Sequence, residues 1–338
     1  MSDAVPVDIL VMGAGTIGCF VGGSLLAAGV RVAFIGRPRV LDALAAQGLT
    51  VSDLDGARHH VPADRLLLAD GVPAGLRPAL VLLAVKSGAT AEAAAELASV
   101  LPAGTLVVSL QNGISNAAIA AEAAPGLRVL PAMVPYNVAE IGPGAFHRGT
   151  VGRLAVQADP ALAPWTAVFE RAGVPLDQHA DLRPIQWGKL LLNLNNPVNA
   201  LSGLPLRDEL LQRGYRRCLA ALMDEALDAL RRAGIEPAQL GAVPAHRMPS
   251  ILRLPTPLFK LVAARMLRID AKARSSMADD LALGRRTEID AFCGEVARLA
   301  EAHGGAAPRN AKMVELLEAW PERGERWPAS QLLSAMGL

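Results

Sequence analysis

Cysteine is scarce in this chain of 338 residues: Cys19, Cys218 and Cys293 are an odd number, far apart, and never form a CxxC pair. Neither a disulfide framework nor a zinc ribbon is implied, and a reducing compartment fits best. The histidines include the adjacent pair His59 and His60, but no HxxxH or HExxH spacing converges two rings on a metal. The pair reads as solvated loop histidines, and no metal site is expected. An excess of one charge is lacking too, since 33 basic and 32 acidic residues leave a formal +1. That balance removes the electrostatic footprint that nucleic acid or an anionic membrane surface requires. No apolar run reaches the ~18 residues of a membrane-spanning helix. The start, MSDAVPVDILVMGAG, has neither a basic segment nor a small-residue cleavage site. A soluble, unprocessed, cytoplasmic chain is expected, without internal repeats or a low-complexity tail.

What is present is apolar bulk. With 52% hydrophobic and 19% charged residues, the chain can bury large cores, and its length suits two domains rather than one. Apolar runs at Val7 to Met12, Arg31 to Ile35, Ala79 to Val85, Thr105 to Leu110 and Leu127 to Met133 alternate with Ala-rich helical stretches such as Thr90 to Val100. Unbroken apolar strands between helices indicate a parallel sheet covered on both faces. EIGPGAFHRGTVGRLAVQ reads as turn and hairpin, followed by a short helix near Ala161 to Ala172 and a strand near Val174. From about Ile185 the pattern changes to amphipathic helices, notably Arg213 to Ala233 and Ser275 to His303. The fold class is therefore an α/β Rossmann-type doubly wound parallel sheet, residues 1–182, followed by an all-helical C-terminal domain, residues 183–338. Between the two long helices lies a proline-studded, apolar stretch from Val243 to Asp270 carrying Arg253, Lys260, Arg265 and Arg268. It reads as a lid or a dimer surface in preference to a membrane contact. The apolar helices of this half make a homodimer the expected assembly.

Gly13-Ala14-Gly15-Thr16-Ile17-Gly18 follows an apolar strand directly and opens a helix, which gives the GxGxxG spacing its meaning. Gly13 permits the tight turn, Gly15 lets the backbone approach a pyrophosphate, and Gly18 lets helix pack on strand. The helix N-terminus supplies free N–H donors. The second strand ends in FIGRPR, without the carboxylate that holds the ribose 2′-hydroxyl of NAD. Arg37 and Arg39 suit a 2′-phosphate instead, which favours NADP (NADPH); solvated arginines would leave the cofactor open. Lys86 in AVKSG and Asn112 in SLQNG stand just past strand ends, where open parallel sheets bind ligands.

In WGKLLLNLNNPVNALSG, Lys189, Asn193 and Asn196 fall at i, i+4 and i+7 on one helix face, with leucines burying the segment. Pro197 removes a helical hydrogen bond and bends the helix. Polar groups held in an apolar, bent helix suit a site wall; a lysine snorkelling outward beside a structural amide is the other reading. In ARSSMADDLALGRRTEID, Ser276 by itself is a good N-cap and Glu288 an ordinary helix carboxylate.

Taken in order, GAGTIG, AVKSG, SLQNG, WGKLLLN and SSMADDL with RRTEID resemble the ketopantoate reductase (2-dehydropantoate 2-reductase) family over nearly the whole chain. The resemblance implies NADPH-dependent reduction of the 2-keto group of 2-dehydropantoate to pantoate in pantothenate synthesis. It implies Lys189 as general acid and Glu288 as the residue that holds or tunes it. Asn193 and Asn196 would grip the substrate's hydroxyl end, Ser276 its carboxylate, Asn112 both substrate and cofactor, and Lys86 the cofactor. The family commonly places its second asparagine four residues after the first. Here Asn193 is followed by Asn195 and Asn196, with Pro197 in that place, so either amide is a candidate. The alternatives are a relative acting on another 2-keto acid, an opine-type dehydrogenase, or a non-catalytic dinucleotide sensor.

Overall fold

A computed structural model describes residues 6–264, 266–268, 270, 272–320, 324 and 326–338. The chain divides into two compact units, Met1–Leu182 and Arg183–Leu338.

The first unit is an α/β unit with twelve strands: β1 Ile9–Met12, β2 Val32–Ile35, β3 Leu49–Asp53, β4 Arg58–Val61, β5 Leu67–Ala69, β6 Leu80–Leu83, β7 Leu106–Ser109, β8 Arg128–Met133, β9 Val138–Gly142, β10 Ala145–Arg148, β11 Leu154–Gln157 and β12 Leu176–His179. Its helices are α1 Thr16–Ala27, α2 Pro38–Gln47, α3 Thr90–Val100, α4 Asn116–Ala123 and α5 Ala163–Arg171. Eight strands form one sheet in the order β12-β11-β8-β7-β6-β1-β2-β5. All its pairs are parallel except β8 with β11. The four residues of β1, Ile-Leu-Val-Met, are all buried, because alternate side chains enter separate apolar clusters on the two faces; a strand covered on both sides has no polar face. β1 lies between β2 and β6, parallel to both, with Met12 opposite Ile35 on one side and Leu83 on the other. The chain order reverses at this point, so the crevice beyond the carboxyl ends of β1 and β6 is where an open sheet of this kind holds a ligand.

A second sheet, β4-β3-β10-β9, was legible only in its β9–β10 hairpin. His59 and His60 lie on β4 rather than in a loop, where the His60 ring nitrogen Nδ1 is 2.9 Å from Thr50 Oγ1 across the β3–β4 pair. Both remain exposed. Helix α1 packs against strands of both sheets, which explains why it is apolar on every side and buried from Gly18 to Leu26.

The second unit is helical throughout its described residues: α6 Arg183–Asn193, α7 Asn195–Ser202, α8 Leu206–Leu210, α9 Arg213–Arg232, α10 Met248–Leu252, α11 Thr256–Val262, α12 Ser276–Ala282, α13 Cys293–Ala302 and α14 Pro308–Glu318, before a last helix at Ala329–Ala335. The long helix α9 is its axis, packing against α7, α8, α10, α13 and α14. The helix expected over Ser275 to His303 is not continuous. It stops at Ala282, turns through Gly284 at a φ of +62°, resumes as one short 3-10 turn over Ile289–Ala291, and becomes α13 at Cys293. An amphipathic period survives such a turn, so periodicity alone joined two helices that glycine in a left-handed conformation separates.

The proline-studded stretch forms a 3-10 turn and the short helices α10 and α11; Arg265 lies outside the described residues. Its anchor is Arg216 of α9, fully buried, which donates to the carbonyls of Leu210 (2.8 Å), Leu252 (3.0 Å) and Leu254 (2.8 Å). Carbonyl dipoles solvate this cation where no carboxylate is bonded to it among the described residues. Nearby, Glu225 of α9 caps α14. It accepts from the backbone N–H of Arg309 and Asn310, each at 3.0 Å, and from Asn310 Nδ2 at 2.9 Å. An anion at a helix N-terminus satisfies donors that have no intrahelical partner.

Candidate active site

The phosphate turn occupies the tip of β1. Gly13 has φ +114°, and a Cβ there would stand 2.6 Å from the backbone of Ala84 and Val85 at the end of β6. A Cβ at Gly18 would stand 2.1 Å from the Gly13 carbonyl oxygen. Only glycine allows the strand to turn this tightly and the helix to begin this close. Gly15 is exposed, with open space where its Cβ would be. Helix α1 then starts at Thr16 with no side-chain cap and no acid in its first turn. Ala14 and Gly13 both donate to the Ile35 carbonyl, at 2.8 and 3.0 Å, which ties the turn to the end of β2. The cradle fits a dinucleotide: open space beside Gly15, uncapped N–H groups of Thr16, Ile17 and Gly18, and a positive helix end. Arg37 follows at the N-cap of α2, exposed, and Arg39 is 3.9 Å from Glu140.

Lys86 is exposed at the start of a short 3-10 turn after β6, and Asn112 is half-buried after β7. A polar network that sequence reasoning missed holds these two loops. Gln111, buried, donates from Nε2 to the Val85 carbonyl (3.0 Å) and to Thr90 Oγ1 (2.7 Å), and accepts from Ser109 Oγ (2.9 Å). Thr90 in turn donates to Asn116 Oδ1 at 2.8 Å. The Asn116 amide donates to Ser87 Oγ at 3.1 Å and to the Asn112 carbonyl. The available signal was Gln111 itself, a polar residue continuing an apolar strand.

In the second unit, Lys189 stands on α6, half-buried, with Trp187, Leu190 and Leu191 buried around it. Burial lowers the pKa of its amine below the ordinary lysine value, and no carboxylate contributes to the shift. Desolvation disfavours the ammonium form, which eases proton release. The helix breaks at Leu194 and α7 restarts at Asn195, so Asn193 and Asn196 lie on either side of a bend. Both are half-buried. Asn195 turns away to a buried carboxyl, donating from Nδ2 to Glu209 Oε2 at 3.0 Å.

Ser275, not Ser276, caps α12, its hydroxyl accepting from the Ala278 N–H at 3.2 Å. This frees Ser276, which is exposed in the first turn. The Ser275 hydroxyl also donates to the Asn196 carbonyl at 3.2 Å, bringing the start of α7 and the start of α12 together. Glu288, half-buried, leads the 3-10 turn Ile289–Ala291 and is not a mid-helix carboxylate. Among the described residues no group of three or more His, Cys, Asp and Glu is arranged to hold a metal ion. No described helix is long and apolar enough to cross a membrane.

A parallel sheet with a glycine phosphate turn at its switch point, followed by a helical unit bearing a desolvated lysine, defines the class of dinucleotide-binding oxidoreductases. The family described as Ketopantoate reductase PanE/ApbA matches residues 9–160, and its C-terminal counterpart matches residues 181–320. The chain belongs to the ketopantoate reductase family. It is 30% identical over 319 residues to the 2-dehydropantoate 2-reductase of Halobacterium salinarum, covering 91% of this chain and 97% of that one. A PanE/ApbA family ketopantoate reductase from Ralstonia eutropha JMP134 superposes with a TM-score of 0.79 at 28% identity, covering 94% of this chain and 99% of that one. The fold is shared more widely: D-mandelate dehydrogenase, solved with NADH and anilino(oxo)acetate, gives a TM-score of 0.76 at 19% identity over 94% of this chain and 99% of its own.

Proposed function

We propose that the protein reduces 2-dehydropantoate to pantoate with NADPH. The observation that carries this reading is the Lys189 amine, desolvated within an apolar helix and drawn toward proton release. Bound NADPH supplies hydride to the substrate's carbonyl carbon. Backbone N–H groups of Thr16, Ile17 and Gly18 receive its pyrophosphate, Gly13, Ala14 and Gly15 shape the turn beneath it, and Arg37 takes the 2′-phosphate. Lys86 and Asn112 contact the cofactor from the ends of β6 and β7.

Lys189 polarises the carbonyl and donates a proton to its oxygen, leaving the neutral amine that burial favours. Glu288 orients Lys189. Asn193 and Asn196 hold the substrate's hydroxyl end, Ser276 its carboxylate, and Asn112 reaches the substrate as well as the cofactor. Asn196 serves in preference to Asn195, because the Asn195 amide is committed to Glu209. The working form is a cytoplasmic homodimer, supported by the exposed apolar side chains Leu258, Leu261 and Val262 of α11; light scattering of the purified protein tests the assembly.

A panel of 2-keto acids with NADPH and NADH, run on wild type and Lys189→Ala, tests the chemistry. The variant is expected to lose at least ~10²-fold in kcat while keeping its affinity for the cofactor. Unchanged turnover would remove the mechanism. Arg37→Asp is expected to weaken NADPH relative to NADH; an unaltered preference removes the 2′-phosphate assignment. A different 2-keto acid is the second reading, favoured by Pro197, which occupies the place four residues after Asn193 where the family's second asparagine commonly stands. The same panel decides it: a better substrate than 2-dehydropantoate replaces the named one.

A further inference from the structure

Glu209 is the most deeply buried acid among the described residues of the second unit, with no exposed surface. Nothing in the proposed chemistry uses it. It receives two amides on one oxygen: Asn195 Nδ2 at 3.0 Å and Asn199 Nδ2 at 3.3 Å, both on Oε2. Asn199, itself fully buried, also donates to the Leu204 carbonyl at 2.9 Å, and its Oδ1 accepts the Ser275 N–H at 2.9 Å. Ser275 is the residue that caps α12 and bonds the Asn196 carbonyl. The chain Glu209–Asn199–Ser275–Asn196 thus joins α8, α7 and the start of α12.

We infer that Glu209 is a positioning residue for the 2-keto acid site: through Asn199 it fixes the turn that carries Asn196 against the first turn of the helix that carries Ser276. The inference rests on the function proposed above and adds to it the residue that sets the spacing between the two substrate contacts.

The geometry also says in which state Glu209 works. Its Oε1 and the Oδ1 of Asn195 are both buried acceptors that find no donor among the described residues. A proton on Oε1 converts one of these into a donor, and an acid beside an amide then exchanges two hydrogen bonds. Among the described residues no ion pair compensates a negative charge there. The neighbouring titratable groups on α9, Tyr215 and Cys218, are both raised, so both are neutral near pH 8 and supply no cation. Among the arginines of α9, Arg216 is held by backbone carbonyls, Arg213 bonds the Arg253 carbonyl, and Arg217 is exposed, while Arg207 and Asp208 on α8 itself are exposed. Burial accordingly pushes the Glu209 carboxyl up to about 8 against the two amide bonds, which pull it down.

The sign of the pH dependence follows. A carboxyl raised by the fold stabilises fully below its ordinary value of 4.5, and that contribution is lost as pH rises toward about 8. Glu209→Gln keeps the shape and neutrality without the titration.

The experiment compares wild type with Glu209→Gln in two readouts. In thermal unfolding, the midpoint of the variant relative to wild type is expected to climb between pH 5 and pH 8. In turnover of 2-dehydropantoate with NADPH, KM of wild type for the keto acid is expected to rise by about 5-fold or more between pH 7 and pH 9 relative to Glu209→Gln, with KM for NADPH moving alike in both. Lys189 titrates in both proteins, so the comparison cancels it. A variant that fails to fold at pH 6, or a midpoint difference that is flat or falls with pH, overturns the neutral acid. Parallel KM profiles overturn the positioning role even where the stability difference appears. A wild type that reduces no 2-keto acid with either cofactor overturns the proposed function and the positioning role with it, a result separable from parallel profiles in an active enzyme.

Discussion

The Arg216 guanidinium lies 4.2 Å from the centroid of the Phe259 ring, joining the first turn of α9 to α11. Both side chains are fully buried, and the same guanidinium bonds two carbonyls that lie between Pro249 and Pro255. A segment interrupted by prolines has surrendered some backbone hydrogen bonds of its own, so the fork of one arginine satisfies carbonyls that helices would otherwise satisfy. A planar fork reaches three separated carbonyls from three nitrogens while its face stacks on a ring, a geometry that the single nitrogen of an ammonium does not reproduce.

Arg216→Lys is therefore expected to destabilise the protein by ~2–4 kcal/mol, since two or more buried carbonyls lose their donors. Urea unfolding measures it. A loss under ~0.5 kcal/mol, the size typical of surface substitutions, would show that the segment docks by apolar packing alone.

The phosphate turn separates stability from binding within three residues. A Cβ at Gly13 meets backbone at 2.6 Å in a left-handed conformation, while one at Gly15 meets nothing within 4 Å. Gly13→Ala is expected to cost ~2 kcal/mol or more in folding stability. Gly15→Ala is expected to leave stability within ~0.5 kcal/mol yet weaken dinucleotide binding by about 10-fold, because its Cβ projects where a pyrophosphate approaches. Calorimetric titration with NADPH beside thermal unfolding checks both. Equal effects from the two substitutions would contradict the cradle.

What could be read from sequence was what a local period or turn encodes. The apolar runs of β1, β2, β6 and β7 and the unbroken stripe of α9 are local, and they stand within a few residues of their expected bounds. The turn Gly13 to Gly18 stands between strand and helix for the same reason. What failed depends on distant partners. The second sheet pairs β3 with β10 across nearly a hundred residues, and alternation in short polar strands such as RHHV carries too little signal to be seen. Sequence allows either serine to cap α12; the Asn196 carbonyl and the Asn199 amide, both remote in sequence, select Ser275 over the expected Ser276. Arg216 and Glu209 look like ordinary surface residues until the fold buries them.

The Gln111 network carries a consequence for the loops that bear Lys86 and Asn112. Gln111→Leu removes the donor to the Val85 carbonyl and to Thr90 Oγ1, and leaves the buried Ser109 hydroxyl without its acceptor. The expected cost is ~2–3 kcal/mol, in line with buried polar groups left without partners. Dinucleotide affinity is expected to fall as well, because both loops lose a shared tie. An unchanged dissociation constant for NADPH, measured by fluorescence titration, would detach this network from the binding face.

The burial of Lys189 makes two predictions of opposite sign. The fold lowers its pKa, so it favours the neutral amine and is penalised while the ammonium form prevails. Stability is thus expected to rise as pH climbs through the lowered value toward 10.5, the ordinary one, and Lys189→Met is expected to be more stable than wild type at pH 7 by ~1 kcal/mol. Catalysis runs the other way, because a proton donor must be protonated: kcat is expected to fall along that same rise in pH, with its limb below the ordinary lysine value. Wild type and Lys189→Met compared by chemical unfolding at pH 7 and pH 10 test the first half, and a pH–rate profile the second. A variant less stable than wild type at pH 7 would place the amine in water, and a rate that stays level beyond pH 10.5 would leave the proton without this donor.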